Sequence, residues 1–420
     1  MKKTLFIING FYPYEKSEDY LSAETQYING FDLIYCFPVI VYGKRDKSDI
    51  HHYQYNDKIK YCNSRIDPSK CNILILSFYI IKLLSMSFFI KEIIHVINGK
   101  KFLISRLKSL FKTGIRAIHS YYDIKRIIVN DNLNDTLIYI YSYWAHRTAL
   151  TGLLLKNDKY LNVKTCFTRC HRFDIYEYAT DNLYIPFRKY IYENMDKLFV
   201  ISEDAKLYIN SKYSTFTNEK IVISRLGTFD HGFRIPSKRS VLKIVSCSWL
   251  RPVKRVNLIF EALKDIDIQI SWTHYGSGEE FDNIKSLILN NNNPNLTVNL
   301  FGNVSNNELM KEYNKMNYNI FINVSSSEGV PVSIMEAMSF AMPVIATNVG
   351  GTCEIVKEGV NGFILPINFD VEILKKYIYI ISEMNDDDYS KMALSSRKIW
   401  EHLSNAETNY NDFYNNIKSI

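Results

Sequence analysis

The sequence predicts an α/β protein made of two doubly wound domains, each built on a parallel sheet. The first observation is length: the 420 residues exceed a single core of about 100 to 200 residues, so two domains are expected. The second is that apolar strand-like runs alternate with amphipathic helical runs through the C-terminal half. The third is that the N-terminal half repeats this pattern more loosely. Such alternation is typical of a parallel sheet with helices on both faces.

The predicted strands are short apolar segments bounded by polar residues. In the N-terminal half they are "KTLFIING", "DLIYCFPVIVYG", "TLIYIYSYW", "VKTCFTR", "KLFVISE" and "KIVISRLG". In the C-terminal half they are "KIVSCSWL", "IQISWTHYG", "LTVNLFGNV", "YNIFINVSS", "MPVIATNV" and "GFILP". The helices predicted between the C-terminal strands are "VNLIFEALKD", "FDNIKSLIL", "NNELMKEYNKM" and "VSIMEAMSF".

A change of composition separates the two halves. Residues 229–240 contain Gly, Pro and several charged residues, which predicts a linker. The N-terminal domain is then residues 1–228, and the C-terminal domain is residues 241–399. Open α/β sheets bind ligands outside the carboxyl ends of their strands, so two such domains predict a cleft between the two sheets.

Composition indicates an ordinary globular protein of the cytoplasm. The sequence is 47% apolar and 23% charged, with a net charge of +7, and this excludes a disordered chain. Its seven cysteines are an odd number without zinc-site spacing, so we expect reduced thiols. The N-terminal "MKKTLFIING" is interpreted as a first strand and not as a signal peptide, because its apolar run is short.

Residues 73–97 form a very apolar stretch. Lys82, Lys91, Glu92 and His95 divide it into pieces, each shorter than the roughly 20 residues that a membrane span needs. A buried or interfacial pair of helices is therefore expected here in place of a span.

A basic segment overlaps the end of this stretch. Residues 93–122 hold six basic side chains and no acidic one, interleaved with apolar residues: Lys100, Lys101, Arg106, Lys108, Lys112 and Arg116. On a helix this pattern indicates a segment that lies on an anionic membrane surface. A core helix with a basic solvated face is the alternative. We therefore expect residues 71–126 to contact an anionic membrane, and we expect no nucleic acid partner.

The stretch "SSSEGVPVSIMEAMSFAMPVIATNVGG", residues 325–351, places two glutamates beside apolar segments. A strand ends before Glu328 and a helix follows Pro331, so Glu328 lies in a loop and Glu336 in the second helical turn. Unpaired N–H groups at residues 329–332 would suit a phosphate. An acid near a helix N-terminus is also a common stabilising feature, which is the alternative for Glu328. It does not explain Glu336, whose carboxylate is suited to accept two ribose hydroxyls.

This stretch resembles the signature of glycosyltransferase family 4. The family pattern is a glutamate, seven residues and a second glutamate, then a Pro-Val-Ile-Ala strand and a Gly-Gly turn. Here these are Glu328, Glu336, "MPVIAT", Gly350 and Gly351. The resemblance implies the GT-B fold, with two doubly wound Rossmann-like domains facing a central cleft, and retaining transfer from a sugar nucleotide. It also implies that Glu336 binds the ribose and that Glu328 meets the donor sugar.

The same resemblance extends to other donor-side loops. "SCSWLRPVKRVN" resembles the basic phosphate loop of the family and places Lys254 in the lysine position, with Arg251 or Arg255 as a second cation. The remaining residues implied to bind the donor are Gly276, Gly278, Asn303, Val304, Gly329, Val330 and Pro331.

Acceptor-side residues are implied in the N-terminal half. "TRCHRFDIYEYA" resembles the Arg-x-His-x-x-Asp segment of the family and supplies Arg169, His171 and Asp174, with the histidine near the sugar. The resemblance thus implies Glu328, His171 and Lys254 as the catalytic residues. "FYPYEKSEDYLSAETQYI" resembles the first loop of the family and supplies Glu18 and Glu24. We also expect residues 400–420 to form the terminal helix that packs back on the first domain of this fold.

The predicted activity is transfer of a sugar from a nucleotide diphosphate sugar to a saccharide acceptor. The resemblance implies a retaining glycosyltransferase of surface polysaccharide, O-antigen or capsule assembly, with a lipid-linked acceptor at the inner face of the cell membrane. No cofactor or metal is expected, because Asp265 and Asp267 precede their strand instead of following it. A sugar-nucleotide epimerase of the same fold and an inactive membrane-associated partner protein are the alternatives.

Overall fold

The structure is a computed structural model of the chain that describes residues 1–15, 18–43, 50, 56–62, 67–213, 219–235 and 241–418. The chain divides into two compact units. The first comprises Met1–Ser224 with Tyr410–Ile420, and the second comprises Arg225–Asn409. The first unit thus ends four residues before the boundary expected at residue 228.

The first unit is built on a seven-stranded parallel sheet of order β3-β2-β1-β4-β5-β6-β7. Its strands are β1 (Lys3–Asn9), β2 (Leu33–Pro38), β3 (Lys60–Tyr61), β4 (Leu137–Ser142), β5 (Val163–Cys170), β6 (Lys197–Val200) and β7 (Ile221–Ile223). The helices are α1 (Asp19–Thr25), α2 (Ile73–Leu84), α3 (Ser87–Asn98), α4 (Leu103–Asn130), α5 (Arg147–Lys156), α6 (Arg172–Ile175), α7 (Arg188–Asn194) and α8 (Glu203–Lys212).

The central strands are buried on both faces, which explains their nearly continuous apolar sequences. Along β1, Phe6 and Ile8 enter one apolar cluster, together with side chains of α4 and α5. Leu5 and Ile7 enter the cluster on the opposite face, together with α1 and the end of the chain. The sheet is therefore covered on both sides, as the strand alternation predicts.

The end of the chain belongs to the first unit. Phe413, within the last helix, packs its ring against Phe167 and Phe199, with ring centroids 6.2 and 4.9 Å apart. Residues 400–409, by contrast, lie in the second unit. The segment that was expected to pack on the first domain as a whole therefore does so from Tyr410 onwards.

The second unit is built on a six-stranded parallel sheet of order β10-β9-β8-β11-β12-β13. Its strands are β8 (Leu242–Cys247), β9 (Ile270–Tyr275), β10 (Leu296–Leu300), β11 (Ile320–Asn323), β12 (Val344–Thr347) and β13 (Gly362–Leu365). Its helices are α9 (Asn257–Leu263), α10 (Phe281–Leu289), α11 (Asn306–Met316), α12 (Val332–Ser339), α13 (Thr352–Ile355), α14 (Val371–Glu383) and α15 (Asp386–Leu403), and α16 (Ala406–Lys418) continues into the first unit.

The segment predicted as a linker is held by the second unit where it is described. Asp230 receives two hydrogen bonds from the guanidinium of Arg397, of 2.9 and 2.6 Å. The indole of Trp400 donates to Thr228 Oγ1 at 2.7 Å. Residues 236–240 of the predicted linker lie outside the described residues.

The apolar stripe of the basic segment was expected to face a membrane, but in the structure it faces the protein core. In α4, Leu110 is buried, and Leu107, Phe111 and Ile115 pack against the first unit's own core. Their stripe is thus used within the protein, which favours the alternative of a core helix with a basic solvated face for α4.

The exposed apolar surface lies on α2 and α3 instead. No helix among those described is by itself long and apolar enough to cross a membrane. The two helices α2 and α3 satisfy length and composition together, but the chain bends by 85° between them.

Candidate active site

The loops after β8 and β11 bring two predicted catalytic groups into contact. Lys254 ends a short 3-10 turn after β8, and Glu328 lies between β11 and α12. The ammonium nitrogen of Lys254 is 2.6 Å from Glu328 Oε1, and both side chains are partly exposed. Parallel strands place the loops at their carboxyl ends on one edge of the sheet, so residues 74 positions apart form one polar centre.

Arg255 has a different role from the one predicted. Its guanidinium donates hydrogen bonds to the carbonyl oxygens of Val324, Ser325 and Ile367, at 2.8, 3.3 and 2.6 Å. These bonds fasten the chain after β11. Arg251, in contrast, is exposed, and no hydrogen bond or ion pair of its side chain occurs within the described ranges. Of the two arginines, Arg251 is the one available to a phosphate.

Glu336 lies in the second turn of α12, as predicted. Its Oε1 accepts a hydrogen bond from Asn306 Nδ2, at 2.6 Å, at the start of α11. The side chain is half-buried and not fully enclosed. Burial and the Glu336 carboxylate together raise the pKa of the Cys247 thiol to about 12, so Glu336 also lies close to the end of β8.

The start of α12 offers unpaired backbone donors. The N–H groups of Gly329, Val330, Val332 and Ser333 have no acceptor in the part of the chain that the structure describes. Pro331, predicted in the first turn, is the capping residue before it. Such N–H groups favour an anion, and the dipole of the helix adds to this preference.

The Gly-Gly turn holds the Glu328 loop in place. Gly351 donates its N–H to the Gly329 carbonyl at 2.6 Å. Gly350 has φ +51°, and a Cβ there would lie 2.2 Å from the Glu328 carbonyl oxygen. The turn therefore needs glycine for close backbone contact with the loop that carries Glu328.

Gly276 and Gly278, which were predicted to bind the donor, lie close to backbone atoms of the protein itself. A Cβ on Gly276 would lie 1.9 Å from the Ser248 carbonyl oxygen, and one on Gly278 would lie 2.4 Å from that of Leu250. Both glycines thus let the loop after β9 pack against the loop that leads to Lys254. Asn303, predicted beside the base together with Val304, supports the same loop by accepting the N–H of Ser277 at 2.9 Å.

The variant Gly276→Ala should destabilise the second unit by about 2 kcal/mol, because a backbone carbonyl occupies the space that its methyl group needs. Thermal unfolding followed by circular dichroism measures the change. Gly302→Ala is the matched control, since Gly302 also has a positive φ, of +67°, but no atom within 4 Å of its Cβ position. Equal losses in the two variants would show that backbone strain, and not the contact with Ser248, sets the effect.

In the first unit, Glu18 anchors the loop after β1 and is not an acceptor contact. The residue is 1% exposed. It accepts five hydrogen bonds, of 2.5 to 2.9 Å, from the Asn9 side chain, the N–H groups of Gly10, Phe11 and Tyr12, and the Trp144 indole. Both oxygens are saturated, so the predicted role of Glu18 in acceptor binding is not available to it.

Glu24 and Arg169 are likewise interior groups. Glu24 Oε2 lies 3.2 Å from Arg169 Nε, and both side chains are fully buried. Burial raises the pKa of Glu24, and the neighbouring Arg169 opposes that shift. The guanidinium of Arg169 also stacks 4.2 Å from the ring centroid of Phe413. This pair fastens α1 and the last helix to the sheet.

His171 and Asp174 close the turn after β5. The backbone N–H of His171 donates to Asp174 Oδ1 at 2.6 Å, and the backbone N–H of Ala145 donates to Asp174 Oδ2. Burial lowers the pKa of His171 to about 3. The ring is therefore neutral at physiological pH and suited to hydrogen bonding instead of proton transfer. Burial raises the pKa of Asp174 to about 7.

The structure adds a cluster that sequence reasoning missed. Trp144, His146 and Arg147 follow β4 directly, and the His171 ring lies against Trp144 with ring centroids 4.6 Å apart. The signal was present in "YSYWAHRTA", because polar side chains directly after a central strand lie at the ligand-binding edge of a sheet. No trio of His, Cys, Asp or Glu side chains suited to a metal ion occurs in the described residues.

Part of the chain is similar to known glycosyltransferases. Residues 232–398, which include Lys254, Glu328 and Glu336, match the family described as glycosyl transferases group 1. The matched residues all lie within the second unit. The chain is also 26% identical over 314 residues to an uncharacterized glycosyltransferase of Methanocaldococcus jannaschii, covering 69% of this chain and 82% of that protein. A glycosyltransferase, the class of activity predicted from the sequence, is therefore supported.

Solved structures resemble both units. The apo form of the lipopolysaccharide outer core galactosyltransferase WaaB has a TM-score of 0.65 at 16% identity and covers 99% of each chain. The Anabaena protein HepE in complex with UDP-glucose has a TM-score of 0.63 at 14% identity and covers both chains fully. At such identities the likeness concerns the fold alone. The predicted class, two Rossmann-like domains of the GT-B type, is confirmed.

Proposed function

We propose that this chain is a glycosyltransferase of group 1 and moves a sugar, with retention, from a nucleotide diphosphate sugar to a lipid-linked saccharide in polysaccharide assembly. The observation that carries the proposal is the contact of Lys254 with Glu328 beside the unpaired N–H groups of α12. The complex of HepE with UDP-glucose supports a nucleotide sugar as donor. The galactosyltransferase WaaB, which acts on lipopolysaccharide, supports a saccharide acceptor carried by a lipid.

The donor site would stabilise the leaving nucleotide diphosphate without a metal. Breaking the bond to the sugar increases negative charge on the diphosphate. Lys254, Arg251 and the N–H groups of Gly329, Val330, Val332 and Ser333 supply fixed positive charge and dipoles at one edge of the sheet. Glu336, half-buried in the second turn of α12, would accept the ribose hydroxyls.

Retention is proposed without a protein nucleophile. Glu328 Oε1 is engaged by Lys254 at 2.6 Å and by Asn323 Nδ2 at 3.4 Å. With one carboxylate oxygen held in this way, Glu328 would position the sugar and balance the charge of Lys254. Front-face attack, in which the departing phosphate takes the proton of the acceptor hydroxyl, fits these constraints. The anomeric configuration of the product, read by NMR, tests retention.

Glu336→Ala should weaken donor binding by about 2 kcal/mol, because two ribose hydroxyls would lose their charged acceptor. Isothermal titration with UDP-, GDP- and dTDP-sugars measures the loss and identifies the base. Glu383→Ala, at the exposed end of α14, is the matched control and should bind like the unaltered protein. Unchanged affinity in Glu336→Ala for every donor would contradict the proposed site and favour an inactive partner protein.

Product analysis separates transfer from epimerisation. A glycosyltransferase releases nucleotide diphosphate when an acceptor is present, whereas an epimerase alters the sugar nucleotide without any acceptor. Conversion of the donor sugar in the absence of acceptor would overturn the proposal.

An apolar surface on α2 and α3 supports a membrane as the place of action. The exposed apolar side chains there are Ile73, Leu74, Ile75, Phe78, Ile81, Leu84, Ile90, Ile94 and Ile97, continued by Phe102 and Ile104 before and within α4. Six exposed lysines border this patch: Lys82, Lys91, Lys100, Lys101, Lys108 and Lys112. Glu92, the single acid between residues 71 and 122, points its carboxylate to the Tyr184 hydroxyl at 2.6 Å. The outward charge is thus basic, as an anionic membrane requires.

The double variant Ile81→Glu, Ile94→Glu should lower binding to anionic phospholipid vesicles at least about tenfold, because each buried isoleucine contributes roughly 2 kcal/mol. Co-sedimentation measures the bound fraction. Leu207→Glu is the matched control, since Leu207 on α8 is 66% exposed, like Ile81, but lies outside the patch. Failure of the unaltered protein to sediment with vesicles would remove both the membrane proposal and the proposed location at the inner membrane face.

A further inference from the structure

The end of β4 in the first unit collects polar groups that the protein leaves without partners. Three buried side-chain atoms there have no hydrogen bond within the described residues: His146 Nδ1, Arg147 Nε and His171 Nε2. His146 and Arg147 come just after β4, and His171 follows the neighbouring strand β5. Buried polar groups are normally satisfied, so this concentration indicates a binding site.

Arg147 is the strongest of these observations. It is the first residue of the ten-residue helix α5 and is 8% exposed. Its guanidinium makes no hydrogen bond or ion pair with the described chain. Burial lowers its pKa to about 10, which still leaves it charged at neutral pH. A buried cation without a partner is strongly unfavourable, so an anion is expected beside it.

The start of α5 adds backbone donors to this cation. Leu150 is the first residue of the helix whose N–H finds a carbonyl, that of His146, at 2.9 Å. The N–H groups of Arg147, Thr148 and Ala149 have no acceptor in the described ranges. Unpaired N–H groups together with the helix dipole favour an anion at this point.

The charges around Arg147 add to the positive potential. The Thr151 hydroxyl donates to the Ala117 carbonyl of α4 at 3.3 Å, so α4 and α5 are in contact one turn from Arg147. Arg116, next to Ala117, makes no side-chain hydrogen bond or ion pair in the described chain, although the Asp67 carboxylate lies within electrostatic range of it. Burial and the charge of Arg116 both lower the pKa of Arg147. Glu18 is the neighbouring carboxylate, and its oxygens are saturated by five other donors.

We propose that Arg147, Arg116 and the start of α5 bind a phosphate group of the acceptor. The assignment of this phosphate to the acceptor rests on the proposed function, whereas the phosphate site itself does not. A phosphate suits this site better than a carboxylate, because it presents more oxygens and about two charges to two guanidinium groups and a helix N-terminus. A lipid diphosphate and a soluble phosphate ester share this chemistry.

Calorimetric titration of the full chain with inorganic pyrophosphate tests the site. The variant Lys254→Gln serves as background, so that the donor site of the second unit contributes little. In this background, Arg147→Gln should weaken pyrophosphate binding at least tenfold, and Arg116→Gln about threefold. Arg126→Gln, on α4 with a 42% exposed side chain, is the matched control and should bind as the background does. Arg147→Lys should retain part of the affinity.

The melting temperature of Arg147→Gln is a second measurement, and it distinguishes a ligand-binding arginine from a structural one. Removal of a buried cation without a partner should leave the melting temperature of Arg147→Gln unchanged or raise it, whereas loss of a structural arginine lowers it. Unaltered pyrophosphate binding in Arg147→Gln, or a lower melting temperature, would overturn the phosphate site. Tighter binding of glucuronate than of pyrophosphate would assign the site to carboxylates and overturn it too.

Two further ligands distinguish the sources of the phosphate. If farnesyl diphosphate binds more tightly than pyrophosphate, and if Arg147→Gln weakens this binding, the ligand is a lipid diphosphate. Binding of pyrophosphate without binding of farnesyl diphosphate identifies a soluble phosphate ester, and both outcomes support the site. Failure of the donor proposal would appear separately, as unchanged nucleotide-sugar binding in Glu336→Ala.

Discussion

Replacement of Lys254 by alanine is expected to lower kcat/KM for the nucleotide sugar by about 10²- to 10³-fold. Lys254 Nζ lies 2.6 Å from Oε1 of Glu328, and Glu328 directly precedes the unpaired N–H groups of Gly329 and Val330. Lys254 is therefore the fixed cation placed to meet the charge that develops on the diphosphate. The loss should fall mainly on kcat, because this charge is larger in the transition state than in the bound donor.

The matched control is Lys264→Ala, which removes a partly exposed lysine paired with Glu261 at the end of α9. Its steady-state rate should match that of the unaltered protein. The rate is also expected to be unchanged in the presence of a metal chelator, since the proposed donor site needs no metal. If Lys254→Ala kept its full rate, or if the chelator abolished transfer, the proposed role of Lys254 would be wrong.

Replacement of Glu18 by glutamine is expected to destabilise the first unit by about 3 kcal/mol. The residue is 1% exposed, and its carboxylate accepts five hydrogen bonds around the loop after β1. An amide of the same size would direct its NH₂ group at N–H donors and leave some of them buried without an acceptor. Thermal unfolding followed by circular dichroism measures the loss.

Glu219→Gln is the control for Glu18→Gln, because Glu219 is exposed and its side chain has no hydrogen bond in the described residues. It should change stability by less than about 0.5 kcal/mol. A Glu18→Gln protein as stable as this control, but with a weakened acceptor KM, would return Glu18 to the acceptor site predicted from the sequence.

The local pattern of the sequence was sufficient for the fold class and for the donor-side loop. Apolar strands that alternate with amphipathic helices require a parallel sheet with both faces covered, and the two sheets have this form. The spacing of Glu328 and Glu336 around Pro331 likewise placed one glutamate in the loop and one in the helix. These features depend on residues near one another in the chain, so they can be read from it directly.

The roles of single polar side chains could not be read in this way. Arg251 and Arg255 lie in the same short loop, and the sequence does not distinguish their roles. In the structure, Arg255 donates hydrogen bonds to two carbonyls just after β11 and to that of Ile367. The apolar stripe of α4 is similar to that of a membrane-surface helix, but the first unit's core covers it and leaves α2 and α3 exposed.

The sequence by itself determined the α/β architecture, the two parallel sheets and the placement of Glu328 in a loop and Glu336 in a helix, because hydrophobic periodicity and motif spacing are local properties. Tertiary structure alone decided that Glu18, Glu24 and Arg169 are interior anchors and that Arg147 is left as a buried cation without a partner. The physical reason is that the state of a charge depends on what is packed around it, and those neighbours come from distant parts of the chain.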